Sequence, residues 1–524
     1  MINELKVKSN LLKGDMFEGI NHRTIDGGCL IYADDTGSSD LLVYIDKTYV
    51  GVFDQWTKLE NSLKEKKLLK VSKTGCQFLL GNGFVPPPFT LYKNVLRLTY
   101  GDRLKVNFNN DKVKYFVEFP YFSSNSKNNS DFSTSYLKSC LSESVSSLSN
   151  MDKPIYFMQS SGKDSIGLLI ALNEANVKNV HSITYNPKYK EEEAEDAKNI
   201  ANKFGYNHTV VNSNPVKEYE ALEKFCEKSP IINADYAFIP YIFSLQSVNA
   251  VDSVIIDGMG NDIYMGHIPP KIETYLKKVS VAKFLPVLPK IFEVPPVGDK
   301  GTYLLKSMLM QPTERVNSGS HVAHSKVLSL FPQKTYYDSF FETLYKKYKH
   351  LNEVDLRAYV RGRLFDNASC MEKGRIAAES MSSKTIFPFT DEKLIDYYFN
   401  LRQDLRYNIE ERVNKVSLRK MINKEMSNGL RYLNEKGSFR FNVMKFIDIN
   451  KEKIFNEIKN ADNIVPGIYK VFTFYWKRKN NYVFNGALHH LIVLSLWLNR
   501  RETETIFDLQ QDYPDFEIDI EFNF

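Results

Sequence analysis

Six consecutive residues, Ser160-Ser161-Gly162-Lys163-Asp164-Ser165, bring together hydroxyls, a small residue, a cation and a carboxylate. That mixture suits a phosphorylated anion. Backbone N–H groups at the start of a helix attract it, Lys163 adds positive charge, and Asp164 can hold Mg²⁺ among phosphate oxygens. The hydroxyls of Ser160, Ser161 and Ser165 add donors, and Gly162 permits a left-handed or close-approach backbone. The flanks agree: residues 155–158 read as a buried strand, and Ile166, Leu168, Leu169, Ile170 and Leu172 open a helix. An ordinary Ser/Gly turn is the competing reading, and the strand and helix on either side weigh against it. A second loop, Asp257-Gly258-Met259-Gly260-Asn261-Asp262, follows a short apolar run at 254–256. Its two glycines would let backbone amides approach phosphates, and Asp262 would complete a Mg²⁺ site with Asp164.

The first loop is not the GxxxxGK[ST] phosphate loop, which is longer and carries its Lys near the end. It resembles the SGGxDS signature of the ATP pyrophosphatase superfamily, with Ser161 standing for one Gly. The second loop is similar to the pyrophosphate loop of the asparagine synthetase family within that superfamily. Further stretches resemble the same family in the same order. They are Gly83-Phe84-Val85-Pro86-Pro87-Pro88 with Thr90, Leu91, Tyr92, Val95, Leu98 and Gly101; the Ala194-to-His208 passage; Phe387-Pro388-Phe389-Thr390-Asp391; Lys415-Val416-Ser417-Leu418-Arg419; Lys436-Gly437-Ser438-Phe439; and the helix ending in Trp497 and Leu498. The resemblance spans about residues 76–500.

It implies ATP and Mg²⁺ as cofactors, with Ser160, Ser161, Gly162, Lys163, Asp164, Ser165, Thr184, Gly258, Gly260 and Asp262 around the nucleotide and Asp164 and Asp262 on the metal. It also implies that Lys436 stabilises charge during amide formation, a fixed cation beside an oxyanion or phosphoryl group. Lys415 and Glu379 are further catalytic candidates. Glu372 is a weaker one, and His208 reads as a structural residue.

Three departures matter. Glutamine-dependent members use a Cys directly after the initiator Met, whereas position 2 here is Ile2, so the first domain is expected to be a glutaminase-like scaffold without glutaminase chemistry. Met259 stands where relatives carry Glu or Tyr and cannot take a proton. Lys384 stands where asparagine synthetases commonly carry Glu.

The elements that must position these residues are legible in outline. The fold class is α/β: a β-rich Ntn-hydrolase-like domain over 1–122, a polar linker over 123–134, and a doubly wound parallel-sheet ATP pyrophosphatase domain with a helical C-terminal part over 135–500. Strands are expected at 29–32, 41–45, 95–98, 180–185 and 209–211, and helices at 56–67, 136–148, 191–204, 217–227, 234–245, 272–283, 303–310, 339–348, 354–363 and 485–498. Residues 501–524 form an acidic tail, with eight acids and no Lys or Arg from 502 onward, expected to be a solvated extension, with a partner-binding segment as the alternative.

Bulk composition is that of a soluble globular protein, and a net charge of +6 on 524 residues neither demands nor excludes nucleic acid. Five scattered cysteines form no CxxC, which fits reduced thiols and a cytoplasmic location and argues against structural zinc. No apolar run reaches spanning length.

The expected activity is therefore ATP-dependent amide formation between a small-molecule or peptide carboxylate and an amine or ammonia. No glutaminase would be used, and the setting would be the biosynthesis of a specialised product, as in β-lactam synthetases and lasso-peptide cyclases. Nucleic acid and membrane partners are not expected, and the oligomeric state is left open, a homodimer included. The alternatives are a tRNA-modifying ATP pyrophosphatase and a silent nucleotide-binding scaffold.

Overall fold

The computed structural model describes residues 3–6, 22–25, 28–37, 40–46, 49–107, 112–118, 133–187, 191–268, 301–302, 304–305, 321–332, 336–351, 353–426, 441–506 and 517–522. At the N-terminal end two sheets form. One has the order β1 (Asn3–Lys6), β5 (Tyr49–Phe53), β4 (Leu41–Ile45), β6 (Val95–Leu98), with antiparallel neighbours throughout. The other runs β16 (Glu517–Phe522), β8 (Lys112–Val117), β7 (Arg103–Asn107), β3 (Gly28–Tyr32), β2 (His22–Ile25). The Tyr115 hydroxyl of β8 donates to the Arg97 carbonyl of β6 at 2.7 Å and so ties the sheets together.

Two features of this region differ from the sequence reading. A second helix, α2 (Lys73–Asn82), follows α1 (Trp56–Glu65). It is buried along its whole length and so shows no polar stripe. Gly75 lets it approach the Thr90 carbonyl, which a Cβ would meet at 2.2 Å. The tail is the other difference: residues 517–522 are a strand paired in parallel with β8, not a solvated extension. Alternating Ile and acid residues in EIDIEF suit an edge strand opposite Lys112 and Lys114, and Lys114 pairs with Glu521.

The second sheet system positions the loops of interest. Five parallel strands run in the order β11 (Asn207–Asn212), β10 (Val180–Asn186), β9 (Ile155–Met158), β12 (Val254–Asp257), β13 (Lys384–Ile386). From β9 the chain moves outward through β10 and β11, then returns to the other side of β9 for β12. The direction reverses between β9 and β12, and such a switch point opens a crevice at the carboxyl ends of the strands. Ile155 pairs with Val254 and Met158 with Asp257, so the segments leaving the two strands start level with each other.

Helices α3 (Thr134–Val145), α4 (Lys163–Glu174), α5 (Glu191–Lys203), α6 (Pro215–Lys228) and α7 (Phe238–Ser247) accompany this sheet. A helical C-terminal part follows, ending in Asn485–Leu498, which is buried on nearly every side. That helix joins both halves: Trp497 packs on Tyr92 with centroids 6.0 Å apart, and His490 lies 3.1 Å from the Leu80 carbonyl. In place of the regular helix expected over 354–363, a short helix at Glu353–Arg357 passes into a π-helix over Ala358–Met371. The helices expected at 272–283 and 303–310 lie outside the described residues, save for helical turns at 301–302 and 304–305.

Candidate active site

The loop after β9 is shaped by its own hydroxyls. The Ser160 N–H donates to Ser165 Oγ at 3.0 Å, the two Oγ atoms lie 3.1 Å apart, and the Gly162 N–H donates to Ser160 Oγ at 3.2 Å. Gly162 has φ −74° and ψ 158°, an extended backbone open to any residue, so the left-handed conformation allowed for it is not used. Its smallness serves close approach instead, since a Cβ would meet Ser160 Oγ at 3.1 Å. Ser161 is not among the residues with positive φ, so Ser in place of Gly carries no backbone strain there.

The loop after β12 does need one of its glycines. Gly260 has φ +106°, and a Cβ on it would lie 2.7 Å from Thr390 Cγ2. Gly258 makes no such demand, as the nearest atom to its Cβ would be 3.6 Å away. The Met259 N–H donates to Asp257 Oδ1 at 3.1 Å, which turns the chain.

Asp164 opens α4 and Asp262 follows Gly260; one cation stands between them. Lys415 Nζ lies 2.7 Å from Asp164 Oδ2, 2.8 Å from Asp262 Oδ1 and 2.7 Å from Asn261 Oδ1. Asn261 Nδ2 in turn donates to Asp164 Oδ1 at 2.6 Å. Against its burial, the two carboxylates raise the Lys415 ammonium to about 12. Burial and the neighbouring Lys415 lower Lys163 to about 8, with Arg419 adding to the effect. Arg419, itself lowered by burial, also interacts with Asp164. Three cations and two carboxylates therefore converge at the switch point, an electropositive cradle with acids suited to a divalent ion.

The remaining sequence candidates are placed as follows. Thr184 is buried, donates to the Gln159 carbonyl at 2.9 Å and lies 3.0 Å from His208 Nε2. It braces the start of the first loop through the Gln159 carbonyl. His208, lowered to about 4 by burial and by His181, is neutral there.

Glu379 is not brought to the cradle. Its Oε1 accepts from the N–H and hydroxyl of Thr57 at 2.8 and 2.7 Å, capping the first turn of α1, and burial raises its carboxyl. Nearby, the Met381 carbonyl accepts from the Asp252 N–H, ahead of β12, whereas the phosphate loop leaves the other end of that strand. Glu379, a catalytic candidate from the sequence, is thus engaged at the start of α1. Glu372 is likewise committed, accepting from Trp56 Nε1 at 2.8 Å and pairing with Arg97 at 3.2 Å. Lys384 is exposed on the edge strand. Lys436 lies outside the described residues.

Three groups were not singled out from sequence. Asn261 sits inside the second motif and bonds both Asp164 and Lys415. Asp366, on the π-helix, is 2% exposed, and its Oδ2 has no hydrogen-bond partner. Burial, opposed by Arg361 and reinforced by Asp262, pushes its carboxyl up to about 7. The π-helix reaches the loop directly: a Cβ on Gly362 would strike Ile263 at 2.3 Å, and Met371 Sδ would lie 3.8 Å from a Cβ on Gly260. Lys373, the third, forms a buried pair with Asp235 at 3.5 Å beneath the loop, and despite burial it holds the Asp235 carboxyl low.

Among the described residues no group of three or more His, Cys, Asp or Glu could hold a metal ion by itself. Two carboxylates nevertheless suit Mg²⁺, which is commonly held by one or two carboxylates with substrate phosphates and water. No helix of the described residues is long and apolar enough to cross a membrane. A family model described as asparagine synthase matches residues 136–444. A search of curated proteins found no match to the chain.

Proposed function

Because the chain belongs to the asparagine synthase family, a family of ATP-dependent amide ligases, we propose that it joins a carboxylate to an amine through an acyl-adenylate. The convergence of Lys163, Lys415 and Arg419 on the Asp164–Asp262 pair carries this reading, because it sets both signs of charge a metal-bound triphosphate needs at the carboxyl ends of parallel strands. Asp164 and Asp262 would hold Mg²⁺, which neutralises phosphate charge when bound. The amides of the loops after β9 and β12, the latter with the backbone bend at Gly260, would orient the phosphates. A substrate oxygen would attack the α-phosphorus as the bond to pyrophosphate breaks, and an amine would then attack the acyl carbon and release AMP. Lys436 would stand by the developing oxyanion.

The reading extends to a ligase that draws no ammonia from a glutaminase of its own. All five cysteines are buried, and burial pushes the Cys29 thiol to about 12, so none is presented as a nucleophile. The acyl acceptor would then be a free amine, which suits a specialised biosynthetic product. The test is exchange of labelled pyrophosphate into ATP across a panel of small-molecule and peptide carboxylates. Exchange with one acid, lost in Asp262→Asn, supports adenylation and identifies the donor. Exchange that survives unchanged in Asp262→Asn would sink the site assignment. Absence of Mg²⁺–ATP binding by calorimetry would sink the reading altogether.

A further inference from the structure

The contacts of Lys415 do more than contribute charge. An ammonium has three N–H donors, and the three acceptors around Nζ, at 2.7, 2.7 and 2.8 Å, match that number. Its side chain is only 4% exposed, while those of Asp164 and Asp262 are each 29% exposed. The lysine is thus inside and the carboxylates form the rim. It occupies the space between the two carboxylates that a shared divalent ion would need, since Mg²⁺ demands oxygen ligands at about 2.0–2.1 Å.

The backbone holds the lysine there. Lys415 adopts φ +58°, ψ +40°, directly before the helix Val416–Glu425. Its own N–H points to the Met265 carbonyl at 3.5 Å, and Asn414 Nδ2 donates to the Gly266 carbonyl at 3.3 Å. Leu418, one turn on, packs so closely on α4 that a Cβ at Gly167 would be 3.0 Å from it. The main chain is thus held against the segment that follows the second loop and against α4.

Resting on the nucleotide reading above, we propose that Lys415 is a built-in counter-cation that closes the Asp164–Asp262 pair to metal until a nucleotide arrives. A bare divalent ion must displace an ammonium held by three acceptors, and the displaced charge stays beside the incoming one. A metal–nucleotide complex removes both penalties. Its phosphates offer Lys415 new acceptors, and its net negative charge offsets the cations gathered there. Metal and nucleotide should therefore bind with strong positive coupling, each raising the affinity of the other equally.

The test uses the full chain and Mn²⁺, followed by the electron paramagnetic resonance signal of the free ion. Wild type without nucleotide should leave Mn²⁺ free into the millimolar range, and α,β-methylene-ATP should bring it onto the protein. Lys415→Met should bind Mn²⁺ alone about tenfold or more tighter than wild type, with Lys415→Arg staying close to wild type. Mn²⁺ binding to nucleotide-free wild type as tight as to Lys415→Met would overturn the lock while leaving the nucleotide site intact. Tight binding by nucleotide-free wild type overturns it even if the Met variant fails to fold. If the analogue brings no Mn²⁺ to either protein, the nucleotide reading fails and takes the lock with it.

Discussion

Asp366 shows what a single buried carboxyl does at this site. Its usual range lies near 4, and burial carries it to about 7. Between those values the folded protein keeps a proton that the unfolded chain has lost, so stability falls as pH rises through the window and levels off above it. Asp366→Asn stays neutral throughout. The advantage of the variant over wild type should grow from near zero at pH 4 to, as an upper bound, on the order of 4 kcal/mol at pH 8. Urea unfolding at the two pH values measures it, and a gap that does not change with pH would refute the assignment. Little local in the sequence marks Asp366: Arg361 shares its π-helix, but Asp262 and Lys415 come from two distant segments. Asn261 is different: it lies within a motif already read, and only its neighbours Gly260 and Asp262 attracted attention. Lys415 was expected to act in chemistry; that it would stand between two aspartates was not readable, since the loop from 258 to 262 and the segment at 415 meet only in space.

Elements with plain periodicity were legible. The strands at 41–45 and 95–98 and the helix at 485–498 match their expected bounds, and the parallel sheet follows from the alternation of strands and helices. The buried helix α2 escaped because it shows no polar stripe, and the π-helix over 358–371 was legible only in its first part, as a regular helix over 354–363. The π-helix is the element where that cost most, for it joins the N-terminal sheets to the phosphate loop. Its Arg363 is fully buried and pairs with Asp102, which also accepts from the Thr99 N–H at 3.1 Å and the Glu118 N–H at 2.9 Å. Arg363→Met should cost about 3–5 kcal/mol by leaving Asp102 buried without its cation. Arg363→Met combined with Asp102→Asn should recover part of that loss. Chemical denaturation of the two variants decides this, and a loss below about 1 kcal/mol, typical of a surface pair, would refute it.

At the scale of the molecule the acidic tail ties the last described strand to the first sheets. Removal of residues 507–524 would leave β8 as a free edge, its Lys112–Val117 backbone unpaired on the side away from β7. Open edges of this kind pair with other chains, so the truncated protein should self-associate more than the full chain. Light scattering after size-exclusion chromatography reads this directly; a truncated protein with the same mass distribution as the full chain would show that β16 guards nothing. The same pairing has a consequence in time. Each residue of β8 waits for a partner 405 positions later, Glu517 for Lys112 and Phe522 for Val117. At about 5–20 residues per second a ribosome takes roughly 20–80 seconds to cover that interval. Throughout it the nascent chain carries an unfinished sheet, which only the synthesis of residues 517–522 can close.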